Sequence, residues 1–152
     1  MRNSLRVGVT ILTLLLSCSF SAWSQDPTIY VSPHSVDETL SNVYIGIDNN
    51  GHKYLNTHFY ETDSIDQGEF KGKVYVVDFT LRNLNKIISC EPTIALDIPL
   101  KIMVWEEDGD VYLAYINPFV YKKRYFIMGC DDLLDEYNKS IIRIVNDAIR
   151  TH

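Results

Sequence analysis

ALDIPLKIMVWEEDGDVYLAYINP, residues 95–118, decides the fold. Two apolar runs, 100–105 and 111–116, flank a group of acids centred on Asp108-Gly109. Asp-Gly suits a two-residue type I′ turn, which needs φ > 0 at both central positions. Such a turn pairs Glu107 with Asp110, Trp105 with Tyr112, Val104 with Leu113 and Ile102 with Tyr115. Alternation then sets Ile102, Val104, Val111, Leu113 and Tyr115 on one face, and Lys101, Met103, Trp105, Tyr112, Ala114 and Ile116 on the other. A sheet with helices on one side alternates apolar and polar. This hairpin is apolar on both faces, so each needs cover. The aliphatic face suits the domain's own helices. The other has the makeup of an interface core, rich in aromatics and Met. Lys101, Met103, Trp105, Tyr112 and Ile116 are therefore the candidate binding or interface residues, and the partners they fit are a second copy (a homodimer) or a small apolar ligand. The competing reading covers that face with one of the chain's own helices.

Outward from the hairpin the signals are local. Downstream, Asn117 and Pro118 open a short helix, with proline in the first turn where it costs no hydrogen bond. Leu133, Leu134, Tyr137, Ile141, Ile144, Val145 and Ala148 then mark a long amphipathic helix capped by Asp131 or Asp132. Upstream, residues 28–31 are β-prone. Ser35-Val36-Asp37-Glu38 is a capping box, followed by a helical stripe of Leu40, Val43, Tyr44 and Ile47 that Gly46 weakens. Asn49-Asn50-Gly51 suits its carboxyl-terminal cap. Residues 52–60 read as a strand, 61–73 as a polar loop and 74–77 as a central strand. From Leu81 the spacing turns helical until Pro92. The order β-α-β-β-α-β-β-α predicts an α+β fold, with helices packed on a mostly antiparallel sheet.

The amino terminus reads as an export signal. Arg2 and Arg6 form a basic n-region, residues 7–16 an apolar core, and Ala22 and Ser24 an Ala-x-Ser cleavage site. Ten apolar residues are half the length of a spanning helix. The expectation is a signal peptide over residues 1–24, a single domain over 25–152, and a periplasmic or secreted product. Leu15-Leu16-Ser17-Cys18 supports an alternative, a lipoprotein anchored to the cell envelope through Cys18, and only then would a membrane be a partner.

Losing Arg2 and Arg6 takes the formal charge from −6 to −8. An acidic surface repels phosphate backbones, so nucleic acid is not an expected partner. Ten tyrosines and six phenylalanines favour sheet content. Cys90 and Cys130 remain after cleavage. They form one disulfide or stand as two small buried hydrophobes, and the sequence leaves both open.

No catalytic residue is assigned, and no metal or cofactor is expected. There is no Gly-x-Ser-x-Gly and no Cys with a partnered His. His52 and His58, six apart on one strand face, would stand roughly 20 Å apart, too far to share a metal. Asp48-Asn49-Asn50-Gly51 lacks the spacing and the distal Glu of a calcium loop. Glu106, Glu107, Asp108 and Asp110 read as a solvated turn, because successive residues point to opposite faces. Asp97, between Leu96 and Ile98, is the candidate buried acid. A carboxylate accepting hydrogen bonds at a bend is its plainer reading.

Residues 32–40 (SPHSVDETL) and 95–118 resemble the two signature stretches of the domain-of-unknown-function 302 family, and residues 40–51 also fit. The resemblance covers about residues 28–150 and implies a small α+β domain with no settled biochemical role. One segment departs from it. The family's glycine- and proline-bearing loop after the central strand is here Asp78 to Lys86, without Gly or Pro, so backbone that could closely approach a ligand is replaced by helix-forming sequence. The sequence reading is an exported, non-catalytic domain that binds or self-associates through a hairpin face. The alternatives are an enzyme working through carboxylates such as Asp97 or Asp78, and a lipid-anchored envelope component.

Overall fold

The computed structural model describes residues 27–62 and 70–151. The leader, its cleavage site and Cys18 lie outside the described residues, as does most of the polar loop read at 61–73. In chain order the elements are β1 (Thr28–Ser32), α1 (Val36–Asn49), β2 (Lys53–Thr62), β3 (Gly72–Thr80), α2 (Leu84–Cys90), a 3-10 turn (Pro92–Asp97), β4 (Leu100–Glu107), β5 (Asp110–Tyr115), α3 (Phe119–Arg124) and α4 (Asp131–Ile149). The strands form one antiparallel sheet in the order β1-β5-β4-β3-β2, so the fold is α+β.

The hairpin takes the register read from its turn. Asp108 and Gly109 have φ of 54° and 87°, and Glu107 faces Asp110, Trp105 faces Tyr112 and Ile102 faces Tyr115. Ile102, Val104 and Leu113 are fully buried on the inner face. All four helices contribute to the core there, among them Leu40, Val43 and Ile47 of α1 and Leu134, Ile141 and Ile144 of α4. Gly46, which weakens α1 as a helix, lets α4 approach: a Cβ at this position would lie 3.2 Å from Ile144 Cγ2 and 3.3 Å from its carbonyl oxygen.

The caps hold with two changes. Ser35 Oγ accepts from the Glu38 amide, but the Glu38 carboxylate goes to His34 Nδ1, 3.2 Å away. His34 Nε2 lies 3.1 Å from the Arg150 carbonyl oxygen, joining the start of α1 to the end of α4. Cys130, not Asp131 or Asp132, is the N-cap residue of α4. Asp131 is instead ion-paired with Lys122. At the other end of α1, Gly51 takes a φ of 70° and closes the helix as expected.

Two segments differ from the sequence reading. The helix expected from Leu81 starts at Leu84, and Pro92–Asp97 forms a 3-10 turn before a cis Ile98–Pro99 bond. His52 lies ahead of β2, and the ladder shifts between Tyr54 and Asn56, leaving Leu55 without a ladder partner. That bulge breaks the even alternation on which His52 and His58 would share a face.

Cys90, ending α2, is bonded to Cys130 across 40 residues of chain. Closing a loop of this length in the unfolded chain accounts for up to about 4 kcal/mol of stability. Replacing both cysteines by serine should therefore lower unfolding stability by roughly 2–4 kcal/mol, read from the shift of the urea midpoint in non-reducing buffer. An unchanged midpoint would mean the bond does not constrain the domain.

Candidate functional site

The strand registers set two cross-strand rungs on the outer face. One runs Val31–Tyr112–Trp105–Val74–Tyr60 and the other Ile29–Ala114–Met103–Val76–His58. Nine of these ten residues are apolar or aromatic, on the face opposite the helix-packed core. The middle of the face is closely packed. Trp105 keeps 9% of its surface and Ala114 is buried, while Met103 and Tyr112 are half-buried. Tyr112 stacks on Trp105 with ring centroids 5.2 Å apart, and the Trp105 indole donates to Glu107 Oε2 at 3.4 Å. The open apolar surface lies at the flanks, where Ile29 is 51%, Val31 59% and Tyr60 58% exposed.

Two of the five candidate interface residues stand outside the two rungs. Ile116 lies past the end of β5, where alternation stops, and lines a cleft of about 210 Å³ beside Asp97 and Tyr121. Lys101 is exposed and borders the same cleft, with its ammonium donating to the Pro99 carbonyl oxygen at 3.0 Å. Met103, Trp105 and Tyr112 stay together, and the structure adds Ile29, Val31, Val74, Val76 and Tyr60. Those additions depend on strand order. The only signal for them in the sequence is that the runs at 28–31 and 74–77 are apolar at consecutive positions.

Beside the rungs is a polar notch. Asp78 on β3 faces Lys101 on β4 and Asn56 on β2. Its Oδ2 is 2.9 Å from His58 Nε2, and its Oδ1 is 4.0 Å from Lys101 Nζ. Asp78 is nearly buried, whereas His58 and Lys101 are about half exposed. His58, read as a plain surface histidine, is thus held by a carboxylate, and its ring stacks on Tyr60.

Asp97 is only half-buried, with 25% of its side chain exposed, and is ion-paired with Arg124. It is held by a side-chain cation, where the sequence reading had it isolated in apolar surroundings or accepting at a bend. Burial pushes the neighbouring Tyr121 phenol up to about 12, with the Asp97 charge adding to the effect. The Asp97 cleft does not include Asp78.

At the hairpin tip, a cleft of about 560 Å³ is lined by Ser35 and Asp37 of α1, the exposed Glu61–Lys73 pair, Lys71 and Glu106 to Asp108. Among the described residues, no group of three or more His, Cys, Asp or Glu side chains is placed to hold a metal. Burial, with Arg143 and Arg82 close by, lowers the His52 imidazole from its ordinary value. Its Nδ1 accepts from the Arg82 amide at 3.4 Å, and Arg143 donates to Asn50 Oδ1. These two arginines thus supply positive charge at the carbonyl end of α1, where it is favourable.

A family model for a domain of unknown function, DUF302, matches residues 79–148, a span that includes the hairpin. A crystal structure of an uncharacterized conserved DUF302 protein from Bacillus stearothermophilus matches 82% of this chain and 98% of its own, with a TM-score of 0.71 at 12% identity. Residues 79–148 thus resemble the DUF302 domain. At that identity the likeness to the Bacillus protein is one of fold. Among curated proteins none matches the chain.

The segment that departs from the family resemblance has a definite structure. Asp78 to Thr80 complete β3, a turn follows, and α2 begins at Leu84. The strand end delivers Asp78 to the notch. Removing one partner of a buried charge pair is costly when it strands the other, but His58 and Lys101 are exposed enough to regain water. Asp78→Leu should therefore leave the urea midpoint at or above that of the parent. A loss well beyond ~1 kcal/mol would make the notch a structural support for the sheet.

Proposed function

We propose that this domain is an exported, non-catalytic binding module that takes up an apolar ligand on the outer face of its sheet. The observation that carries this reading is the pair of apolar rungs crossing all five strands on the side away from the helix-packed core. Apolar surface of this kind, open at Ile29, Val31 and Tyr60, marks interaction sites more often than inert surface. Export is supported by the leader pattern and by the Cys90–Cys130 bond, since disulfides persist in oxidising compartments. Among the described residues, no helix is long and apolar enough to cross a membrane.

Export is tested by intact mass. Cells expressing the full chain should release or hold in the envelope a product beginning at Gln25. A diacylated product beginning at Cys18 would replace this reading with the lipid-anchored one, and an intact Met1 chain in the cytoplasm would end both.

Binding is tested through Trp105, the single tryptophan of residues 25–152. Titration with 1-anilinonaphthalene-8-sulfonate should give saturable energy transfer from Trp105 to the dye in the native protein. Ile29→Lys with Val31→Lys, both at exposed positions, should weaken that binding at least tenfold while the far-ultraviolet circular dichroism is unchanged. Transfer that is absent, or that persists undiminished in the double variant, would remove the outer face as the site.

A further inference from the structure

We propose that a second copy of the chain pairs with the free edge of β2, antiparallel and centred on Phe59. The sheet ends in two edge strands of unlike character. β1 is five residues long, with Pro27 just before it and Pro33 just after, the short and proline-bounded form that blunts an edge. β2 is ten residues long, contains no proline, and is exposed at every position except the half-buried Thr57. Its single bulge, at Leu55, lies near one end. From Asn56 to Thr62 the ladder to β3 is regular, so along these seven residues the outer backbone groups form a straight row without a strand partner among the described residues.

The run matches itself in one register. A two-fold axis perpendicular to the sheet must sit on a residue, and only Phe59, the midpoint, engages all seven positions. Inner-face residues then meet inner-face residues. Phe59 faces Phe59 of the second copy, His58 faces Tyr60 on both sides of the axis, Thr57 faces Glu61 and Asn56 faces Thr62. Aromatic residues opposite aromatic ones are among the favourable cross-strand pairs, and no like charges are opposed. Phe59 and Tyr60 are both about half exposed in the single chain. Centring on Tyr60 would instead set Phe59 against Glu61, and centring on Glu61 would oppose two carboxylates.

The product is a continuous ten-stranded sheet with both sets of helices on one side. The two outer faces then lie side by side and meet along the seam at Tyr60 and His58, while Ile29 and Val31 on the far edge stay clear of it.

Sedimentation of the oxidised mature chain should give twice the monomer mass at micromolar concentrations. Phe59→Lys places two ammonium groups opposite each other on the axis and should return the mass to that of a folded monomer. Because Phe59 also packs on Tyr75, a second variant guards against simple unfolding. Phe59→Cys should cross-link two copies under mild oxidation, doubling the mass on a non-reducing gel, whereas Val31→Cys should not. A parent that is monomeric across the concentration range would overturn the proposal. So would a dimer that survives Phe59→Lys, or one that is lost instead with Ile29→Lys and Val31→Lys.

Discussion

The two-residue turn at Asp108-Gly109 sets the parity of the whole sheet. Both residues sit at positive φ, which pins Trp105 against Tyr112 and Val104 against Leu113. A slip of one residue would send Trp105 into the helix-packed core and Val104 to the outside, because strand side chains alternate. The parity spreads by pairing: β4 passes it to β3, β5 to β1, and β3 to β2. Nothing packs against the turn to enforce it, since a Cβ at Gly109 would meet no atom within 4 Å. The constraint is backbone geometry alone, and the burial of Ile102, Val104 and Leu113 makes any other register costly.

What could be read in the sequence follows from that division between local and non-local causes. The hairpin, α1 and the body of α4 were legible because turn chemistry, capping and 3.6-residue periodicity act within a few residues. The bulge at Leu55 carries no such signal, so the placement of His52 and His58 on one strand face did not survive it. Ile116 continued a perfect alternation but lies past the last ladder pair. Asp131 had the chemistry of a cap and was drawn instead to Lys122, a contact set by how α3 meets α4. The candidate face was half legible. Its Met103–Trp105–Tyr112 centre lies within one hairpin, whereas its exposed flanks on β1 and β2 depend on strand order, which no periodicity encodes.

The His58–Asp78–Lys101 notch follows the same logic at the level of charge. Asp78 occurs in the run Val-Val-Asp-Phe, where its neighbours Val77 and Phe79 are fully buried on the inner face. Alternation therefore commits Asp78 to the outer face, among apolar rungs. A lone carboxylate there would be expensive to bury. The flanking strands supply an imidazole and an ammonium, and both keep contact with water. The result is a polar boundary at one end of an apolar surface.

That the described helices all lie on one face has a geometric cause. Five strands about 4.8 Å apart make a sheet roughly 20 Å wide, and two helices packed 8–10 Å apart cover about that width. Among the described residues there are two long helices, α1 and α4, and Gly46 lets them pack closely over the same face. α2 and α3, at seven and six residues, are too short to cross the sheet, and both add their apolar residues to the inner core. The Cys90–Cys130 bond ties the end of α2 to the start of α4 on that side. Every described helix is thus committed to one layer. The apolar second face is left outside that layer, with Ile29, Val31 and Tyr60 exposed at its flanks.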